Sequence, residues 1–234
     1  MQFANHPYFP PNKILQDWLL FLNKSNFKLM NSVVILANGD FPKHPTPLRI
    51  LKEATSIICC DGAVNNLVDH GLKPTHIIGD MDSISPELKN SYEDMLIHIE
   101  EQNENDLRKT LKWAENNGAK KASILGATGK RDDHSLANIF TLLEFPSNLG
   151  MDIVTDYGKF SVVKDEQKFA SFTGEQVSLF SADNTIEITT TYLKYNLNSK
   201  QLTNLYFGSL NESINDAFTI SISHGKILVY QVFK

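Results

Sequence analysis

Cysteine is almost missing: the 234 residues hold two, Cys59 and Cys60, side by side in the apolar run SIICCDG. Neighbouring cysteines in a strand-like run suit neither a bridge nor a metal site, so they read as buried thiols of a reducing cytoplasm. Excess positive charge is missing too. With 22 Lys and Arg against 27 Asp and Glu, the formal net charge of -5 leaves no basic footprint for nucleic acid, although a small phosphorylated ligand stays compatible. No apolar run is long enough to span a bilayer, so no membrane partner is expected. The first 30 residues have no basic leader, and Gln16 and Asp17 interrupt their apolar stretch, so they do not read as a signal peptide. Repeats and low-complexity tracts are absent as well. What is present, 41% hydrophobic residues, suffices for one large domain or two modest ones.

Ile14, Leu15, Trp18, Leu19 and Leu22 share one helical face, which predicts an amphipathic helix over residues 13–23 within an N-terminal extension, residues 1–30. From Ser32 the pattern alternates. SVVIL, TSIICC, THIIG, MLIHI and KASIL read as strands, with AVNNLVDHG, SPELKNSY, DLRKTLKWAENNG and HSLANIFTLLEF as helices between them. That order predicts an open parallel sheet with flanking helices, Rossmann-like, over residues 31–150. Gly71 and Gly118 mark helix ends, and Pro146 stops the last helix. Beyond residue 150 helical periods give way to alternating runs, which predicts a smaller all-β domain over residues 151–234, with SHGK as the hairpin turn between its last two strands.

Polar residues gather just after the strands. Asp40 follows the first, Asp61 and Asn65 the second, Asp80 and Asp82 the third, and Arg131, Asp133 and His134 the fifth. In an open parallel sheet the carboxyl ends of the strands form the ligand rim, so all of these converge there. Asp61 and Asp133 also stand where helices begin and suit N-caps, and Asp40 sits in good turn chemistry. The pair Asp80 and Asp82 is more specific, because carboxylates two apart on an extended loop project the same way and repel unless a cation joins them. Asp106 and Lys109, one turn apart at the start of DLRKTLKWAENNG, face the same rim, away from the Leu107, Leu111 and Ala114 stripe. A D-x-D pair with lysine, arginine and glycine turns suggests Mg²⁺ shared between protein and phosphates, with the Arg131 fork matched to phosphate oxygens.

The stretch GATGKRDDH fits neither common glycine fingerprint. A dinucleotide loop needs a third glycine, and a P-loop needs four residues before Gly-Lys and then a hydroxyl residue; here two residues separate Gly126 from Gly129, and Arg131 stands in the hydroxyl position. Together, CCDGAVNNLVDHGLKPTHIIGDMDSIS, NDLRK and ILGATGKRDDHSLANI resemble the thiamine pyrophosphokinase (thiamine diphosphokinase) family, and GSLNES extends the resemblance into the β region. It implies a homodimeric cytoplasmic enzyme, an α/β domain followed by a β-sandwich, that moves the diphosphoryl group of ATP to thiamine and releases AMP. By the same resemblance Asp61, Asp80, Asp82 and Asp106 are Mg²⁺ and phosphate carboxylates. Lys109, Arg131, Asp133 and His134 complete the site, Gly126, Thr128 and Gly129 wrap the nucleotide phosphates, and thiamine lies between subunits near Ser209 and Asn211.

Asn103 and Asn105 depart from the family, which has an acidic residue and a Ser or Thr in those places. Some members of that family stack thiamine on a tryptophan of the β domain; Trp18 and Trp113 are the only tryptophans here, so if stacking occurs an aromatic such as Tyr206 or Phe207 must supply it. Two rivals are a D-x-D nucleotide-sugar transferase, which does not explain GKRDDH followed by a β domain, and a non-catalytic nucleotide or thiamine-phosphate sensor.

Overall fold

A computed structural model describes residues 31–101 and 103–234, and the helix expected over residues 13–23 lies outside them. The first half builds strands β1 (Ser32–Leu36), β2 (Ile57–Cys60), β3 (His76–Gly79), β4 (Leu96–His98), β5 (Lys121–Leu125) and β6 (Gly150–Val154). Between them lie helices α1 (Pro45–Glu53), α2 (Ala63–Asp69), α3 (Pro86–Ser91), α4 (Asp106–Asn116) and α5 (Asp132–Glu144). The six strands are parallel, in the order β4-β3-β2-β1-β5-β6. The chain builds outward from β1 to β4 and then returns to lay β5 on the other side of β1. This makes the β1/β5 junction the topological switch point, where open α/β sheets bind ligands.

Each face of the sheet is covered, and that is why its strands are near-continuously apolar. Ile35, Ile58, Ile78 and Ile124 pack with Leu107 and Leu111 of α4 and with Leu142 of α5 on one side. Val34, Leu36, Cys59 and Ile77 pack with Leu51 of α1 and with Val64 and Leu67 of α2 on the other. Helix α1 falls in a stretch that reads as a turn in the sequence. His44 caps it through Nδ1, which accepts from the Thr46 backbone N–H at 3.2 Å, and Pro45 occupies its first position.

The second half continues with β7 (Gly158–Val163), β8 (Glu166–Ala170), β9 (Gln176–Phe180), β10 (Glu187–Thr191), β11 (Lys200–Gln201), β12 (Asn211–Glu212), β13 (Ala217–Ile222) and β14 (Ile227–Val232). Strand β6, just past the expected divide at residue 150, still pairs parallel with β5 and antiparallel with β7. Through it the large sheet runs on into β7-β14-β9-β12, and a second sheet, β11-β10-β13-β8, covers that extension. Val163, Val177, Leu179, Ile227 and Val229 meet Phe169, Ile188, Phe218 and Ile220 across the sandwich. The expected hairpin at SHGK is a correction. β13 pairs with β8 and β10, whereas β14 pairs with β7 and β9, so the turn at Gly225 (φ +71°) carries the chain from one sheet to the other. Two strands that face each other across a core alternate as hairpin partners do, so the pattern does not tell the two arrangements apart.

Candidate active site

Asp61 ends β2 in the left-handed region, φ +40°, an uncommon posture for a non-glycine residue. Its backbone N–H donates to Ile78 O at 2.8 Å, and its Oδ2 accepts from Ser83 N at 3.0 Å. The residue is 3% exposed, yet Oδ1 is buried with no hydrogen-bond partner. Asp61 does not cap α2 as expected, because the N-cap is Gly62 and no side chain serves there.

Asp80 and Asp82 do not project together. Met81 between them takes φ +68° and buries its side chain in the core, which swings Asp80 toward Asp61 and leaves Asp82 exposed. Asp82 stays tied through its backbone N–H, which donates to Asp80 Oδ1 at 3.3 Å. Asn65 shapes the same loop rather than facing the cavity, donating to Gly62 O and Ser83 O and accepting from Ser85 N.

Asp106 opens α4, capped by Asn105 Oδ1, which accepts from Arg108 N at 3.0 Å. Lys109 Nζ lies 3.3 Å from Asp106 Oδ1; the lysine side chain is 4% exposed and the aspartate 34%, so the cation of this pair is buried while its partner still reaches the cavity. Gly79 leaves the room this needs, since a Cβ there would stand 2.8 Å from the Asp61 Cβ and 3.4 Å from the Asp106 carboxyl. Asp61, Asp80 and Asp106 each bring a carboxylate oxygen within 4.8 Å of the others. Burial pushes the Asp106 carboxyl up from the ordinary range; Lys109 opposes that, while Asp61 and Asp80 add to it.

The opposite wall is the GATGKR turn packed on the loop after β1. Gly39 N donates to Gly126 O at 2.7 Å and Asp40 N to Thr128 O at 2.9 Å. Gly129, at φ +83°, lies so close to the Asp40 carboxyl that a Cβ would collide with Oδ2. Close approach of two protein loops therefore already accounts for a glycine here. Asn138 on α5 donates to Ala127 O at 2.8 Å and accepts from Asn105 Nδ2 at 3.3 Å, which joins this wall to α4. Asp133 does not cap α5, whose N-cap is Arg131 with no side-chain bond. Instead Asp133 forks with Arg131, at 3.1 Å to Nε and 2.6 Å to the terminal nitrogen, in the open.

A cavity of about 390 Å³ lies between these walls. Asp61, Asp80, Asp106, Lys109, Gly129, Arg131 and His134 line it, as expected. Asp40, Asn65, Asp82, Gly126, Thr128 and Asp133 stand behind or beside the lining. Ser209 and Asn211 belong to the β-sandwich, while the walls come from residues 37–138. Asn38, Ser83, Glu104, Lys130 and Asn138 also line it and are not among the expected site residues, although Asn138 belongs to the motif ILGATGKRDDHSLANI. Asn38 follows a strand as the recognised residues do, and Asn138 lies one helical turn beyond His134; both signals were there to read.

Clustered carboxylates beside a buried lysine, facing a glycine turn across the carboxyl ends of an α/β sheet, suit a transferase of phosphoryl-type groups. Family models described as thiamin pyrophosphokinase, catalytic domain, and thiamin pyrophosphokinase, substrate-binding domain, match residues 48–155 and 158–230. The chain belongs to the thiamin pyrophosphokinase family. It is 29% identical to the thiamine pyrophosphokinase of Bacillus subtilis over 86% of its own length and 98% of that protein's. With thiamine pyrophosphokinase 1 of Oryza sativa it shares 27%, over 85% and 86%. The crystal structure of the Bacillus subtilis protein superposes with a TM-score of 0.73 at 22% identity, covering 87% of this chain and 99% of that one. Yeast thiamin pyrophosphokinase gives 0.70 at 19%, covering 92% and 90%. At such identities the structural likeness speaks for the fold.

Proposed function

We infer that this protein transfers the diphosphoryl group of ATP to the hydroxyl of thiamine, yielding thiamine diphosphate and AMP. The observation that carries this reading is the cluster of Asp61, Asp80 and Asp106, which faces the β1 and β5 loops across one cavity in a chain matched by both family models. Neither a nucleotide-sugar transferase nor a sensor is favoured by those matches.

The residues fit Mg²⁺. Their donors are all carboxylate oxygens, Asp61 Oδ1 is buried without a partner, and a cation would offset both the burial that holds the Asp106 carboxyl up and the smaller push from Asp61 and Asp80. Asp61, Asp80 and Asp106 would hold the ion, with Asp82 the fourth carboxylate at the rim. Bound there, it would neutralise phosphate charge beside these carboxylates.

The protein's own task is then positioning and charge balance. Lys109 orients Asp106 from a buried position. Arg131 presents a planar fork of donors at the cavity mouth, and loops 37–40 and 126–129 give it a rigid wall. We place thiamine against the β-sandwich of a second copy in a homodimer. There Ser209 Oγ donates to Tyr206 O at 2.7 Å, and Asn211 holds the backbone of Tyr195 from both sides. These bonds support a surface on which Tyr206 and Phe207 are exposed, and either ring suits a thiazolium cation. Among the described residues no helix is long and apolar enough to cross a membrane, and the two thiols are free, which fits our placement in the cytoplasm.

Incubation with ATP, Mg²⁺ and thiamine, followed by chromatography of the nucleotides, tests the reading. AMP and thiamine diphosphate are expected in equal amounts; ADP as the nucleotide product would sink it.

A further inference from the structure

We propose that Lys130 is a nucleotide-positioning residue, holding its ammonium group at the cavity mouth to receive the phosphate chain of ATP. The inference rests on the function just proposed. Three cationic side chains line the cavity, and they differ in what balances them. Lys109 is paired with Asp106, and Arg131 is forked on Asp133. Lys130 Nζ instead donates to two neutral oxygens, the backbone O and Oδ1 of Asn38, each at 3.0 Å. Among the described residues lining the cavity it is the cation with no carboxylate in contact, so its charge is available to an anionic ligand.

The backbone supports the same assignment. Lys130 has φ +56°, a left-handed posture that is unfavourable for a residue with a side chain. Glycine would take this position without strain, so the side chain brings a benefit that offsets the cost. Its position suggests which. From the β5 turn the ammonium reaches across to the β1 loop, and so spans the switch point opposite the carboxylates. Neutral carbonyl and amide oxygens are weaker partners for an ammonium than phosphate oxygens, so the Asn38 contact parks Lys130 without consuming its charge.

The test uses Lys130→Met, Lys130→Gly and Lys130→Arg in the full chain. Binding of a non-hydrolysable ATP analogue with Mg²⁺ is read by calorimetry, and KM and kcat are read for ATP. Lys130→Met is expected to weaken analogue binding and raise KM for ATP by about tenfold or more, with a smaller change in kcat. Lys130→Gly should lose the same affinity while melting no lower than wild type, which separates a ligand contact from a stabilising tie. Lys130→Arg should restore most of the affinity, and added salt should weaken the wild type more than Lys130→Met. Wild-type analogue affinity in both Lys130→Met and Lys130→Gly overturns the assignment, as does a loss in Lys130→Gly matched by a lowered melting temperature. Because analogue binding is read apart from turnover, a wild type that binds Mg·analogue but forms no thiamine diphosphate faults the proposed reaction and leaves the Lys130 result standing.

Discussion

Asp61 combines three observations that no single role in stability explains: a left-handed backbone, 3% exposure and a carboxylate oxygen without a partner. A buried anion so placed destabilises the empty protein unless a cation is bound. Asp61→Asn is therefore expected to lower turnover by about 100-fold or more while leaving the metal-free melting temperature equal or higher. Calorimetric melting with and without Mg²⁺ checks this, and the rise in melting temperature that Mg²⁺ gives the wild type should vanish in the variant. Asp82→Ala is the companion experiment: turnover well below wild type in a fully folded protein keeps Asp82 in the metal set, and wild-type turnover removes it. At this scale residue types just beyond the strands were legible in the sequence, because the switch-point rule needs only strand ends. Their directions were not. Met81 turns the D-x-D loop through a left-handed residue, and nothing in the spacing of two aspartates reveals that.

Helix α4 shows how an element sets a residue. Asn105 caps it and Glu104, just before it, accepts from Arg108 at 3.3 Å and pairs with Lys112 at 2.6 Å, so the first turn that carries Asp106 is anchored on both sides. The close Lys112 ammonium, aided by Arg108, holds the Glu104 carboxyl below its ordinary value. A depressed carboxyl adds stability that is present above its unfolded pKa and is lost as pH falls through its folded one. Asp106, shifted upward, has the opposite slope, so a difference between two proteins isolates Glu104. Glu104→Gln should melt below wild type at neutral pH, and the gap should close on acidification below about pH 4. A gap independent of pH would contradict the ion-pair account. Elements with clear periodicity were readable from sequence, α4 and α5 among them. Helix α1 was hidden by prolines that serve as its first turn, and the β13–β14 turn by an alternation that fits a crossing between sheets as well as a hairpin.

For the whole molecule, the parallel sheet, the β-sandwich and the strand they share put all of the cavity's walls in the first half of the chain. The second half exposes Tyr192, Tyr195, Tyr206, Phe207 and Leu210, each more than half exposed, within one stretch of 19 residues. Exposed apolar side chains in this number suit the surface proposed above for a second copy. Phe207→Ser is expected to shift sedimentation equilibrium toward monomer and to raise KM for thiamine while KM for ATP holds. A dimer of undiminished affinity with unchanged KM for thiamine would take Phe207 out of that surface. The order of periodic runs had bounded the molecule to α/β followed by β, but an exposed aromatic surface carries no periodic signal.

In the proposed reaction two phosphoryl groups move together, and the fate of labelled ATP distinguishes this from transfer of one. With ATP radiolabelled at the β-phosphorus, Mg²⁺ and thiamine, the account predicts label in thiamine diphosphate and none in the nucleotide product, AMP. With label at the α-phosphorus it predicts the reverse. β-Label retained in ADP, with thiamine monophosphate as the partner product, would contradict it.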